Sequence, residues 1–436
     1  MSEAGSIRLV TVTGPGSRRR SAFRAVVLFG AIVTLGGALR AQEVEVPPGI
    51  APGLAEAAER TLEDNPALAA ARSSIRASGH DIRAAKWLRF PTVSVQAMTR
   101  NDKVGVSPNV QVFQPIWTGG RIDGSIDRAT ALREVAQAQY NETAFDLLLR
   151  LSDAFHEIGK GDRLIAVYTE SLTEHRRLVE SMERRVEQEI SPRSDLYLAQ
   201  SRLSQVEQEL TTAAAQHDAA YRRVSEIVGD PNFEPGPAPS YSSARHHPLP
   251  DGMVDRALQC DPTVQRFAAE AEVAEADRKL SKAATRPQVG VQYAYDRFGG
   301  SQVGVALKMD ANGGLSAFAV ADAAAARRQA SEYRVAAARR DVQEKVGLDI
   351  VENRSSKMRI SSSTAAAQST ALVNESLLRQ FVAGRRTWLD VMNSVRESVT
   401  AKVALVQVES SAMASAARLR LRSCAWQPGQ CDAPHD

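Results

Sequence analysis

The stretch VFQPIWTGGRIDGSIDRA, Val112 to Ala129, joins two incompatible local patterns. Its first part is aromatic and β-branched with a proline, which suits an extended strand. After Gly119 and Gly120, helical spacing sets in at Ile122, Ile126 and Ala129. A strand that runs straight into a helix through two glycines has to be explained by its surroundings.

Those surroundings occur twice. EDNPALAAARSSIRASGHDIRAAKWLRFPTVSVQ begins at Glu63, and QCDPTVQRFAAEAEVAEADRKLSKAATRPQVGVQ begins at Gln259. Pro66, Pro91 and Gln96 recur as Pro262, Pro287 and Gln292, each 196 positions later. Gly119-Gly120 recurs as Gly313-Gly314, and SDLYLAQS at Ser194 as TWLDVMNS at Thr387. Several landmarks sharing one offset indicate an internal two-fold repeat. Each half reads as a short helix, a second helix, two strands, a glycine pair and very long helical sequence.

The strands alternate. Val289, Val291, Tyr293 and Tyr295 fall on one face, with Gln288, Gly290 and Gln292 on the other. Val303, Val305, Leu307 and Met309 repeat this pattern, and Val93, Val95 and Ala97 do so more briefly. The segment from Asn109 to Trp117 is the poorest strand, because Phe113 falls out of phase. No proline or glycine occurs from Ser125 to Ile158, from Leu315 to Val346 or from Leu348 to Ala383. Leu196, Ala199, Leu203, Val206, Leu210 and Ala213 step by threes and fours, which is a coiled-coil seam. The run from Gly120 to Ser191 would extend roughly 100 Å as one helix, with EIGKGDR at Glu157 as a candidate interruption.

The N-terminus stands apart. Arg18, Arg19, Arg20 and Arg24 precede an apolar run from Ala25 to Leu39, followed by small residues at Ala38 and Ala41. This is the pattern of a secretory signal, too short for a comfortable spanning helix. An uncleaved anchor is the alternative. Without residues 1–41 the chain carries 48 basic and 50 acidic residues, so no nucleic-acid footprint remains. The organisation expected is therefore a signal at 1–41, a first repeat at 42–228, a proline- and serine-rich linker at 229–252, a second repeat at 253–422 and a tail at 423–436. In an oxidising compartment Cys424 and Cys431 either pair or stay as two free thiols, and Cys260 reads as an ordinary buried residue.

Four strands of about nine residues suit tilted membrane-spanning β-segments. Four cannot close a barrel, and an open edge in lipid leaves backbone groups unpaired. Several chains must contribute. Two would give an eight-stranded barrel filled by side chains, and three a twelve-stranded barrel with a lumen, so a conduit favours three. The glycine pair then turns a barrel strand into a periplasmic helix, with Trp117 at the level of an aromatic belt. Simple packing of Trp117 in a hydrophobic junction is the plainer reading.

The two-fold repeat, QPIWTGGRIDGSIDRA and VAGRRTWLDVMNSVRE together resemble the TolC family of outer-membrane channel proteins, over roughly residues 52 to 422. The resemblance implies an α+β membrane protein: a homotrimer with a twelve-stranded β-barrel and a long helical barrel crossing the periplasm. It also implies work alongside a periplasmic adaptor (membrane fusion) protein and an inner-membrane transporter, either ABC-type or proton-driven. The family's periplasmic entrance carries a motif like Gly-x-Arg-Thr followed by Val-Asp-Val-Leu-Asp, with two aspartate rings constricting the pore. Gly384, Arg386 and Thr387 match it, Asp390 takes the first aspartate position, and Asn393 occupies the second. An arginine–aspartate lock in the family maps onto Arg386 and Asp195, and its supporting tyrosine is replaced by Phe381. The plain readings are a solvated helix charge at Asp390 and a surface pair at Arg386 and Asp195.

An enzyme is the first rival. The seven histidines are scattered, with no zinc motif, P-loop, dinucleotide fingerprint or nucleophile elbow, so no catalytic residue, cofactor or metal is expected. HHP at His246 reads as a loop. A periplasmic coiled-coil adaptor or scaffold is the second rival, but it has no need for duplicated amphipathic strand pairs. Among clients, QPIWTGGRID and RRTWLDVMNSVRE tilt the expectation towards type I protein secretion, with drug or metal efflux as the alternative.

Overall fold

Two residues set the helical geometry of each half. Asn65 ends one helix and caps the next, its side chain accepting from the Ala67 N–H at 2.9 Å. Asp261 does the same at the later position, accepting from Thr263 and Val264. In each case a proline follows at the first helical position, where its missing N–H costs nothing. Burial pushes the Asp261 carboxyl up, against the hydrogen bonds it accepts.

The computed structural model describes residues 50–100, 103–237, 239–247, 252–296, 300–309 and 316–428. The first set of elements is α1 (Pro52–Asp64), α2 (Pro66–Trp87), β1 (Thr92–Arg100), β2 (Lys103–Trp117), α3 (Arg121–Glu187) and α4 (Arg193–Val228). A one-turn helix, α5 (Ser243–His246), lies between the sets. The second set is α6 (Met253–Cys260), α7 (Pro262–Ala283), β3 (Gln288–Asp296), β4 (Gly300–Lys308), α8 (Ser316–Val382) and α9 (Trp388–Arg422). Helices α2 and α7 have 22 residues each, α3 and α8 have 67 each, and α4 and α9 have 36 and 35. At about 1.5 Å per residue, α3 and α8 are each roughly 100 Å long.

The expected break at Glu157 does not occur: α3 passes through Gly159 and Gly161 without interruption. Gly161 serves packing instead. A Cβ on Gly161 would lie 2.8 Å from His217 Cβ on α4, so the missing side chain lets the two helices close up. The predicted seam on α4 is real, with Ala199, Val206 and Ala213 buried and Leu196 and Leu203 packed against a cluster at one end.

Among the described residues four hydrophobic clusters lie along the helices, the smallest of them Leu164, Ala213 and Val406. One gathers Leu54, Leu151, Phe155, Val224, Phe233 and Trp426. A second joins α6 to α8 and α9 through Met253, Ala257, Val342, Val346 and Leu419. A third sits where the long helices turn, and contains Met182, Phe381, Trp388, Val391 and Val395. Between α8 and α9, buried Asp349 accepts from Arg418 at 2.8 Å and Arg422 at 3.0 Å, so the charge is paired on both carboxylate oxygens.

One expectation needs correction here, and the described residues of the linker pack against the helices. Phe233 joins the core, and His246 and His247 are buried, with Asn353 donating to the His246 carbonyl and meeting His247 Nδ1 at 3.1 Å. Burial drives the His246 imidazole down to about 4. The corrected expectation is the cysteine pairing: Cys260 is bonded to Cys424, across a Cα–Cα distance of 6.4 Å. Cys260 is thus no ordinary buried residue. It ties the end of α6 to the residues after α9, a pairing invisible to spacing because the cysteines lie 164 positions apart. Cys431 lies outside the described residues.

Candidate channel site

The four strands form one antiparallel sheet in the order β1-β2-β3-β4. Strand β2 starts earlier than the sequence suggests and pairs with both β1 and β3, whereas β1 and β4 each keep one edge open within the chain. The register separates two faces. Val93, Val112, Tyr293 and Val303 form one cross-strand row, and Trp117, Val289 and Leu307 another on the same face. On the opposite face lie Ser94, Gln96, Gln111, Gln292 and Gln302. The apolar face is bare: Val95, Val303, Val305 and Leu307 are all more than two-thirds exposed. An apolar sheet face of this kind fits lipid.

Phe113 falls on the polar face, which is why it breaks the alternation. Its ring covers Gly290, where an added Cβ would lie 2.5 Å from Cε2 and Cζ. The Lys308 ammonium stands 3.8 Å from the centre of that ring.

The glycine pair performs the predicted turn. Gly119 and Gly120 have φ of 62° and 91°, and Gly120 is the N-cap of α3. At Gly119 a side chain would also collide with Arg286 Cβ at 2.7 Å, so only glycine fits. Arg286 donates to the Gly119 carbonyl at 3.2 Å and holds the junction to the α7–β3 connection. Trp117 is half-exposed at the end of β2, beside the bulge at Pro115. Gly313 and Gly314 lie outside the described residues.

At the far end of the long helices, α8 turns into α9 through the matched motif. Gly384 has φ 71°, and the Arg385 N–H reaches back to the Gln380 carbonyl at 2.9 Å, closing the helix in a Schellman-type turn. Thr387 then caps α9. Its hydroxyl accepts from the Asp390 N–H at 3.3 Å, and Asp390 Oδ2 accepts from the Thr387 N–H at 3.2 Å. Asp390 therefore has a structural task besides any pore role. Its contacts with Thr387, hydroxyl first and then backbone, and nearby Arg386 hold its carboxyl below the usual value. Asn393 is exposed one turn further along.

Arg386 and Asp195 are both at the turning end of the helices, Asp195 in the first turn of α4. Within one chain they are not an ion pair: Arg386 Nε donates to Gln380 Oε1 at 3.2 Å. Phe381, in place of the family's tyrosine, is buried against Trp388, with the Arg185 guanidinium 5.0 Å above its ring. The sequence reading missed this contact between Arg185 and Phe381, and also the capping box, although Thr-x-x-Asp at Thr387 is a legible signal for the latter.

Among the described residues there is no cluster of histidine, cysteine and carboxylate groups fit to hold a metal. No described helix is long and apolar enough to cross a membrane.

Residues 57–230 match the sequence model of the outer membrane efflux protein family. No curated protein matches the sequence significantly. Among solved structures, the outer-membrane channel OprN superposes with a TM-score of 0.76 at 18% identity, covering 86% of this chain and 90% of that one. The outer membrane protein VceC of Vibrio cholerae gives 0.71 at 17% identity, covering 85% and 95%. The open-state MtrE outer membrane channel of Neisseria gonorrhoeae gives 0.72 at 15% identity, covering 85% and 89%.

Proposed function

We propose that this chain belongs to the outer membrane efflux protein family and forms a homotrimeric conduit from the periplasm through the outer membrane. The family is one of transport channels, not enzymes. The observation that carries the trimer is the two-faced sheet with both outer edges unpaired. In lipid each open edge would strand backbone N–H and C=O groups, at several kcal/mol apiece. Pairing β4 of one chain with β1 of the next removes every edge, and three chains give a barrel with a lumen. Helix α8 points the same way. Tyr333, Leu348, Val351, Met358 and Leu372 are each more than 60% exposed along it, a surface suited to a neighbouring copy. The equal lengths of α3 and α8, and of α2 and α7, support an origin by internal duplication.

In this trimer Asp390 and Asn393 ring the periplasmic entrance, and Arg386 reaches Asp195 of a neighbouring coil when the entrance is closed. The uncommitted position of Arg386 against Gln380 leaves it available for that contact. Arg386→Ser and Asp195→Ala should each raise single-channel conductance in planar bilayers. Unchanged conductance in both would reduce the pair to a surface feature.

The client we infer is a protein secreted by a type I system, through an ABC transporter and an adaptor. The support is the similarity of QPIWTGGRID and RRTWLDVMNSVRE to secretion members of the family. The family's description as efflux proteins favours the second reading, a drug or metal pump. Co-purification after cross-linking separates them: an ABC transporter with its adaptor supports secretion, and a proton-driven pump supports efflux.

A further inference from the structure

We propose that Lys308 forms a positive collar where the helical tunnel meets the β-barrel, and that this collar favours anionic cargo and anions over cations. The proposal rests on the trimeric channel reading given above. Among the described side chains of the sheet, Lys308 is the one charged residue. The register places it on the polar face, opposite Gln288 at the end of the sheet next to the helices. Its neighbours along that face are uncharged: Ala306, Gly304 and Gln302 on its own strand, and Gly290 and Gln292 on the next.

A lysine at the rim of a membrane sheet normally has a choice, since its long stem can carry the charge outward to lipid headgroups. Here the choice is restricted. Gly290 lacks the Cβ that would displace Phe113, so the ring lies over the polar face, and the ammonium sits 3.8 Å from its centre. The ring quadrupole attracts the cation and holds it on the face that becomes the lumen. Among the described residues Lys308 forms no ion pair with a carboxylate. At this end Arg286 donates to the Gly119 carbonyl and Arg121 to Gln288 Oε1. Three copies of Lys308 around one axis make a charged ring of the kind that selects anions. It would oppose the Asp390 ring at the other end of the tunnel, so the two ends carry opposite preferences.

Reversal potentials of the purified full-length channel in planar bilayers, under a KCl gradient, test this. At about 0.1 M salt, where charges act over roughly 10 Å, Lys308→Gln should move the reversal potential towards the K⁺ equilibrium value. Lys308→Glu should move it further, and Lys308→Arg should restore the wild-type value. Phe113→Leu should shift it in the same direction by less, because the ammonium is freed but not removed. All of these differences should shrink near 1 M salt, where the screening length falls to about 3 Å. If Lys308→Gln and Lys308→Glu conduct normally with unchanged reversal potentials, the collar is overturned while the channel reading stands. If the wild-type protein forms no channel, the channel reading fails first and takes the collar with it.

Discussion

The two turns that close the long helical pairs share one hydrogen-bonding scheme but are built to different standards. At the α3–α4 turn the Ile190 N–H reaches the Arg185 carbonyl at 2.8 Å, and at the α8–α9 turn the Arg385 N–H reaches Gln380 at 2.9 Å. The left-handed position in the first turn is filled by Glu189, φ 58°, and in the second by Gly384, φ 71°. A non-glycine residue there costs roughly 1–2 kcal/mol. The first turn restarts its helix at Pro192 with no side-chain cap, whereas the second has the reciprocal Thr387–Asp390 box. Ile190 and Tyr197 are exposed in the first, while Trp388 and Phe381 are buried in the second. The better-built turn is the one that carries the candidate constriction residues. In the proposed trimer this is where side chains would be held at fixed positions around an axis, and the better-capped turn suits that task.

That contrast can be broken by mutation, with hydrogen exchange at the turns reporting local opening. Trp388→Ala should have the largest effect, loosening the α8–α9 turn by about 3–5 kcal/mol through loss of buried aromatic packing. Tyr197→Ala at the exposed counterpart should leave protection essentially unchanged. Trp388→Phe should cost far less than Trp388→Ala, because the Trp388 indole N–H is buried without a partner in the chain.

Gly384→Ala should cost roughly 1–2 kcal/mol from the backbone angle alone, since no atom lies within 4 Å of the added Cβ. Thr387→Ala should cost about 1 kcal/mol by removing the cap. The reverse change at the first turn, Glu189→Gly, should be stabilising by up to about 1 kcal/mol, once strain relief is set against glycine's added freedom. Equal responses at the two turns would erase the distinction.

The smallest effect is the pH dependence of the Asp390 box. The Asp390 carboxyl is held below its ordinary 3.8, so the folded state favours the ionised form. Its contribution is complete above that ordinary value and is lost as pH falls through the lower folded value. Protection at the α9 N-terminus should therefore be flat from neutral pH down to about 4 and decline below it, with Asp390→Asn showing no such decline.

Much of the fold was legible because it rests on local rules. Pro66 and Pro262 each mark a helix start, alternation at Val289 to Tyr295 marks a strand, and long runs free of proline and glycine mark α3 and α8. What escaped depends on contacts between distant residues. Gly161 looks like a helix breaker until His217 is known to press against it. Phe113 looks like a pattern error until Gly290 lies beneath it. Cys260 and Cys424 meet only once α6 and α9 are packed together. The candidate site was readable as a set of positions, Asp390, Asn393, Arg386 and Asp195, because the motif is contiguous around the first three of them. The capping role of Asp390 and the partner of Arg386 needed geometry.

In the proposed channel the open edges of β1 and β4 are closed by neighbouring copies of the chain. Cross-linking in native outer membranes, followed by the mass of the detergent-solubilised particle, tests it most directly. The expected result is a species of three chains that resists dissociation until heated. A particle containing only one chain, with no cross-linked multimers in the membrane, would contradict it.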